Sequence, residues 1–223
     1  VTEFVAYPSR EALAAGLAGV IAGQLRAALA KGAATLSVPG GTTPGPVFDA
    51  LAAMDLDWSR VAVLLNDERW VDETSPRSNT RLLRERLFVN HAAKAQLVPL
   101  CAPTATPEQA LNRLAAGILP HLPITVLLLG MGTDMHTASL FPGADRLAQA
   151  LAPDAPVLMA LRAEAAAEPR ITLSAQVLKQ ARHIHVLITG QGKRAALERA
   201  RGLSPLQAPI RVVLDQACVH WAE

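Results

Sequence analysis

A three-layer αβα sandwich built on a mostly parallel central sheet is the fold class that the sequence predicts. Three observations carry it. Short aliphatic runs recur along the chain, several of them have no polar face, and stretches with helix start and stop signals separate them. The runs cover residues 34–38, 61–65, 124–129, 157–161, 184–188 and 210–214, each the length of a buried strand.

The helical stretches are marked by their ends. Ser9 is placed to cap a helix over residues 10–31, and Gly32 to stop it. A second helix is expected over residues 47–54 and a third over 80–88, the latter opened by Ser78-Asn79, with Arg81 and Glu85 paired at i, i+4. Arg81, Arg84 and Arg86 read as a solvated face of that helix. Thr106-Pro107-Glu108-Gln109 has the form of a capping box with proline at the first helical position, ahead of Leu111, Leu114 and Ile118.

Composition narrows the function classes. Of 223 residues, 51% are hydrophobic, 18% charged and 4% aromatic, which excludes a disordered chain and requires an aliphatic core. One domain spanning residues 1–223 is expected. With 21 basic against 19 acidic residues the net charge is +2, too small for the field of a general nucleic-acid binder. The uncharged run 12–23 is shorter than the ~20 apolar residues of a membrane span and lacks the pattern of a signal peptide. Cys101 and Cys218 stand far apart, giving neither a disulfide framework nor a zinc motif, and a cytoplasmic location is expected.

In such sheets ligands bind beyond the carboxyl ends of the strands, so the loops there carry the candidate chemistry. Pro39-Gly40-Gly41-Thr42-Thr43-Pro44 follows one strand and precedes a helix, a plausible phosphate cradle or a plain tight turn. It is not a Walker loop. Asn66-Asp67-Glu68-Arg69 follows the strand 61–65, where three ionisable groups must be paired or used, and the Arg69 fork suits a phosphate or carboxylate.

Gly130-Met131-Gly132-Thr133-Asp134-Met135-His136 begins where another strand ends. It delivers an imidazole to the mouth of the sheet, with Asp134 placed to orient the ring or to cap the following turn. Lys193 and Arg194 open a helix whose dipole disfavours cations, so either solvent screens them or an anion faces them. Arg170, taken alone, reads as a surface arginine ahead of the strand 171–173 and of Ser174 as an N-cap. His183 and His185 share a strand face, but two ligands without a third make no metal site. His91, His121 and His220 are expected at surface positions.

Taken together, residues 39–44, Asp67-Glu68-Arg69 with Ser78-Asn79, residues 130–143, 169–174 and 189–193 resemble the 6-phosphogluconolactonase family, nearly end to end. The most specific segment is His136-Thr137-Ala138-Ser139-Leu140-Phe141-Pro142, which looks like the lactonase version of its loop. The resemblance implies a fold of the NagB/RpiA/CoA transferase-like type, a modified Rossmann arrangement. It also implies hydrolysis of 6-phospho-D-glucono-1,5-lactone to 6-phospho-D-gluconate, with no metal and no organic cofactor.

The catalytic residues it implies are His136 as general base and Asp134. Substrate binding is implied for Gly40, Gly41, Thr42, Thr43, Asp67, Arg69, Ser78, Asn79, Gly130, Gly132, Arg170 and Lys193. The expected partner is a small phosphorylated sugar lactone, with no nucleic acid, no membrane, and a monomer or weak homo-oligomer. Two alternatives stand beside this. One is a glucosamine-6-phosphate deaminase or sugar-phosphate isomerase on the same fold, with Asp67 as a carbon-proton base. The other is a non-catalytic sugar-phosphate sensor, although the DNA-binding segment such regulators add has no room before the first strand. The family pattern has glycine where this chain has Met135, so a positive φ there would strain the methionine.

Overall fold

A computed structural model describes residues 3–223. Its strands are β1 (Glu3–Ala6), β2 (Ala34–Val38), β3 (Val61–Leu65), β4 (Asp67–Arg69), β5 (Gln96–Leu97), β6 (Val126–Gly130), β7 (Leu158–Leu161), β8 (Arg170–Leu173), β9 (His183–Thr189) and β10 (Cys218–Ala222). The α-helices are α1 (Arg10–Leu29), α2 (Gly45–Ala52), α3 (Asn79–Arg86), α4 (Leu111–Ile118), α5 (Leu147–Leu151), α6 (Ala175–Lys179), α7 (Gly190–Ala200) and α8 (Arg211–Leu214). Seven strands form one parallel sheet in the order β1-β10-β9-β6-β2-β3-β5. Helices flank it, as expected for strands as buried as β2, β3 and β6.

A second sheet, β4-β8-β7, is antiparallel. The run 157–161 therefore belongs to this smaller sheet. Periodicity marks a strand as buried but says nothing of its partner. β4 leaves β3 after the single residue Asn66, which turns the chain out of the main sheet. Ser37 Oγ donates to Asn66 Oδ1 at 2.7 Å, and Asn66 Nδ2 donates to the Leu128 carbonyl at 2.8 Å, so the turn is tied to two neighbouring strands.

α1 is capped by Ser9, whose side chain accepts from Ala12 N. At 20 residues it outruns the uncharged segment 12–23 and is long and apolar enough, by length and composition, to cross a membrane. Its apolar stripe is used otherwise. Leu13, Leu17, Ile21 and Leu25, four residues apart, are buried in the core that α1 shares with β2, β6 and β10.

The segment 210–214 is a helix, not the strand its β-branched residues suggest. Pro209 fixes the first turn, and i→i+3 bonds run from Val212 N to the Pro209 carbonyl and from Val213 N to the Ile210 carbonyl. Ile210, Val213 and Leu214 then share the buried face, a helical spacing. The capping box at Thr106 forms, with its N–H 3.4 Å from Gln109 Oε1, but it opens a 3₁₀ turn, Pro107–Gln109, ahead of α4.

Candidate active site

The carboxyl ends of β2, β3, β6 and β9, with the small sheet beside them, enclose a cleft of about 250 Å³. Its lining includes Gly40, Gly41, Thr42, Thr43, Asp67, Arg69, Asn79, Gly130, Gly132, His136, Arg170 and Lys193. Segments up to about 150 residues apart thus converge on one space. Met131, Ala138 and Leu187 also face it. They were not anticipated, because an apolar wall carries no motif.

His136 is set by its own loop. Gly132 N donates to the His136 carbonyl at 3.1 Å and Met135 N to the Gly132 carbonyl at 3.0 Å, closing a tight turn at the end of β6. The ring Nδ1 lies 2.6 Å from Asp134 Oδ1, and the His136 N–H donates to the same oxygen at 3.2 Å. A carboxylate can only accept, so Nδ1 carries a proton, and in the neutral ring the lone pair is on Nε2. Partial burial works against the Asp134 charge, but the bond and charge of His136 hold its carboxyl below the ordinary range. Phe141 packs on the imidazole with ring centroids 4.3 Å apart. Gly132 is required here, since a Cβ would lie 2.3 Å from both His136 Nδ1 and Asp134 Oδ1.

Met135 takes φ = 66°, in the left-handed region that favours glycine. The expected strain is real. The loop holds it by a bond from Ile210 N to the Met135 carbonyl at 3.1 Å, and the side chain packs against the core. Ala138 at φ = 48° is a second such residue in the same loop.

The cationic wall comes from the small sheet. Arg69 and Arg170 face each other in the antiparallel register of β4 and β8. Like charges in that position repel. Arg69 Nη1 donates to the Arg77 carbonyl at 2.7 Å and to Asn79 Oδ1 at 3.2 Å. Arg170 is 9% exposed, so it is not the surface residue its isolated sequence context suggests. Burial pushes its guanidinium pKa down, against the charge of Asp67, whose Oδ2 lies 3.7 Å away. The Nε atoms of both arginines are buried with no hydrogen-bond partner among the described residues. Lys193, in the first turn of α7, completes the wall, and burial alone lowers its ammonium pKa. Arg194, beside it, turns away and lies over the Trp221 ring at 4.6 Å.

Asp67 is buried and accepts from Ser139 Oγ. Glu68 has a different task. Wholly buried, it accepts from Asn79 N at 2.8 Å, Thr80 N at 2.7 Å, Thr80 Oγ1 at 2.8 Å and its neighbour Arg69 N at 2.8 Å. It anchors the start of α3, a helix end that favours a carboxylate. Burial raises its pKa while those donors oppose the rise. Ser78, expected in the cleft, stands behind it. Its hydroxyl accepts from Arg81 N as the α3 cap and donates to Glu68 Oε2 at 3.2 Å. Asn79 does reach the cleft, and a Cβ on Gly40 would collide with its amide at 1.9 Å.

His220, expected at a surface position, is 2% exposed within β10 and bonds His185. With Cys218 it also gives His185 the additional neighbours that the sequence did not reveal. The strand itself was missed because Cys218–Ala222 is short and has no clean alternation.

An α/β protein with a cationic, imidazole-bearing cleft at the carboxyl ends of its strands is the class that fold and site define. The family described as glucosamine-6-phosphate isomerases/6-phosphogluconolactonase matches over residues 8–221. A 6-phosphogluconolactonase of Mesorhizobium japonicum is 44% identical, over 97% of this chain and 94% of its own. One of Rhizobium meliloti is 40% identical, over 97% of both chains. The crystal structure of a 6-phosphogluconolactonase from Shewanella baltica superposes with a TM-score of 0.97 at 36% identity, over 100% of this chain and 98% of that one. The chain belongs to the glucosamine-6-phosphate isomerase/6-phosphogluconolactonase family.

Proposed function

We propose that this chain hydrolyses 6-phospho-D-glucono-1,5-lactone to 6-phospho-D-gluconate, with His136 as general base and no metal ion or organic cofactor in the route. The observation that carries this reading is the pairing, across one cleft, of an Asp134-oriented imidazole with two arginines in cross-strand register. A phosphate between Arg69 and Arg170 offsets their cross-strand repulsion and accepts charge-assisted bonds from their guanidinium groups. Lys193 adds a third cation to the same anion.

With the phosphate held, the lactone carbonyl is oriented toward His136. Nε2 takes a proton from water as the oxygen attacks C1, and Asp134 stabilises the imidazolium that results. The tetrahedral intermediate then collapses. The C1–ring oxygen bond breaks, and the imidazolium returns the proton to the leaving oxygen. The Gly132 N–H is committed to the His136 carbonyl, which turns the choice of oxyanion donors toward the backbone N–H groups near Gly40 and Gly41.

The test follows loss of freshly prepared phosphorylated lactone by NMR, against spontaneous opening without protein. Turnover well above the blank is expected, and a rate equal to the blank overturns the proposal. Arg69→Ala should cut the preference for the phosphorylated over the unphosphorylated lactone by about 10-fold or more, from loss of charge-assisted bonds of about 1.5–3 kcal/mol. An unchanged preference removes Arg69 from anion recognition.

A further inference from the structure

At the opposite edge of the main sheet, near the amino ends of β9 and β10, a second cavity of about 470 Å³ opens beside a cluster that the sugar chemistry does not use. Glu3, Cys218 and His185 stand in one row across β1, β10 and β9. His220, two residues beyond Cys218, projects from the same face. The ligand atoms of His185, Cys218 and His220 all lie within 4.8 Å of one another. His185 Nδ1 and His220 Nε2 are 3.0 Å apart. Small side-chain rotations bring all three to the ~2.0–2.3 Å bond lengths of zinc to imidazole and thiolate.

The surroundings hold these histidines as outer partners hold metal ligands. His185 Nε2 lies 2.8 Å from Gln24 Oε1, and His220 Nδ1 lies 2.9 Å from the Tyr7 hydroxyl. Each ring therefore has one nitrogen engaged by an oxygen and the other turned inward, toward the shared point. We propose that Cys218, His185 and His220 form a binding site for a thiophilic divalent cation of the zinc class, separate from the sugar-phosphate cleft.

The donor set suits that class, since imidazole and thiolate together select zinc-like ions over magnesium or calcium. The Glu3 carboxylate, beside the Cys218 thiol, is the natural fourth ligand, with water from the cavity as the substitute. Binding replaces the bond between the two rings. His220 then carries its proton on Nδ1 and donates it to Tyr7, while the thiol proton leaves to solvent. Burial lowers both imidazoles to about 4, so each is a neutral donor at pH 7. Burial, with the charge of Glu3, raises the thiol to about 11, so the ion must displace a proton there.

Cobalt(II) is the probe, titrated into the reduced, metal-stripped full chain without oxygen. One equivalent should give thiolate-to-cobalt charge-transfer absorption with the intense visible bands of a tetrahedral site, and zinc should bleach both. Cys218→Ser, checked for folding by circular dichroism, should lose the charge-transfer band. His220→Gln should weaken cobalt binding by more than about 100-fold, the upper end of what an outer-shell partner contributes. Absence of the charge-transfer band in the native chain overturns the proposal. So does its persistence in Cys218→Ser, which places the ion on Cys101. Thermal melts give a second readout. Zinc should raise the melting temperature of the native chain and leave Cys218→Ser unmoved, and equal shifts in both contradict the site.

Discussion

Gly132 and Met135 bracket the imidazole and work by opposite means. Gly132 leaves room for the ring, whereas Met135 accepts a backbone conformation that most side chains avoid. Gly132→Ala should therefore lower turnover nearly as far as replacing His136 itself, because its Cβ takes the volume of Nδ1 and Asp134 Oδ1. Steady-state kinetics beside a thermal melt checks this, with little loss of stability expected for a loop at the sheet edge. Lys193 shows what the proposed anion site costs the free protein. Its ammonium is desolvated, and no carboxylate among the described residues offsets that. Lys193→Met should raise the melting temperature of the free protein and weaken inorganic phosphate binding by roughly 10-fold or more. Calorimetry with phosphate and a melt without it measure the two effects, and a variant unchanged in both would remove Lys193 from the anion site.

At the scale of elements, the loop from β3 through β4 to α3 positions three cleft residues, Asp67, Arg69 and Asn79, and Glu68 is its fastening. Glu68→Gln keeps the shape but loses the charge and sets an amide against backbone donors. It should cost about 2–4 kcal/mol in urea unfolding, the worth of one or two charge-assisted bonds plus an unsatisfied group. Arg69 and Asn79 would shift with it, so activity should fall as well. The sequence made this loop legible as three charged groups that had to be paired or used. It did not reveal which was which, because burial of Glu68 under α3 is a tertiary fact. Segment 210–214 failed for a related reason. Its β-branched residues favour a strand, and only Pro209 and the spacing of Ile210, Val213 and Leu214 signal the helix. The antiparallel pairing of β4, β7 and β8 was likewise invisible, since each reads only as a short apolar or charged run.

Across the whole molecule, the alternation of apolar runs with capped helices was enough to place the cleft. The rule that open parallel sheets bind at their carboxyl edge did the rest. Long-range partners were not legible. Neither Arg170 facing Arg69 nor His220 beside His185 leaves a mark in local sequence, because strand order decides both. The proposed chemistry depends most heavily on His136 removing a proton from water. Turnover of 6-phospho-D-glucono-1,5-lactone by His136→Asn, followed by NMR against the spontaneous blank, tests it directly. A kcat lower by roughly 10²–10⁴-fold with KM near the native value is the expected result, and a native kcat in that variant would contradict it.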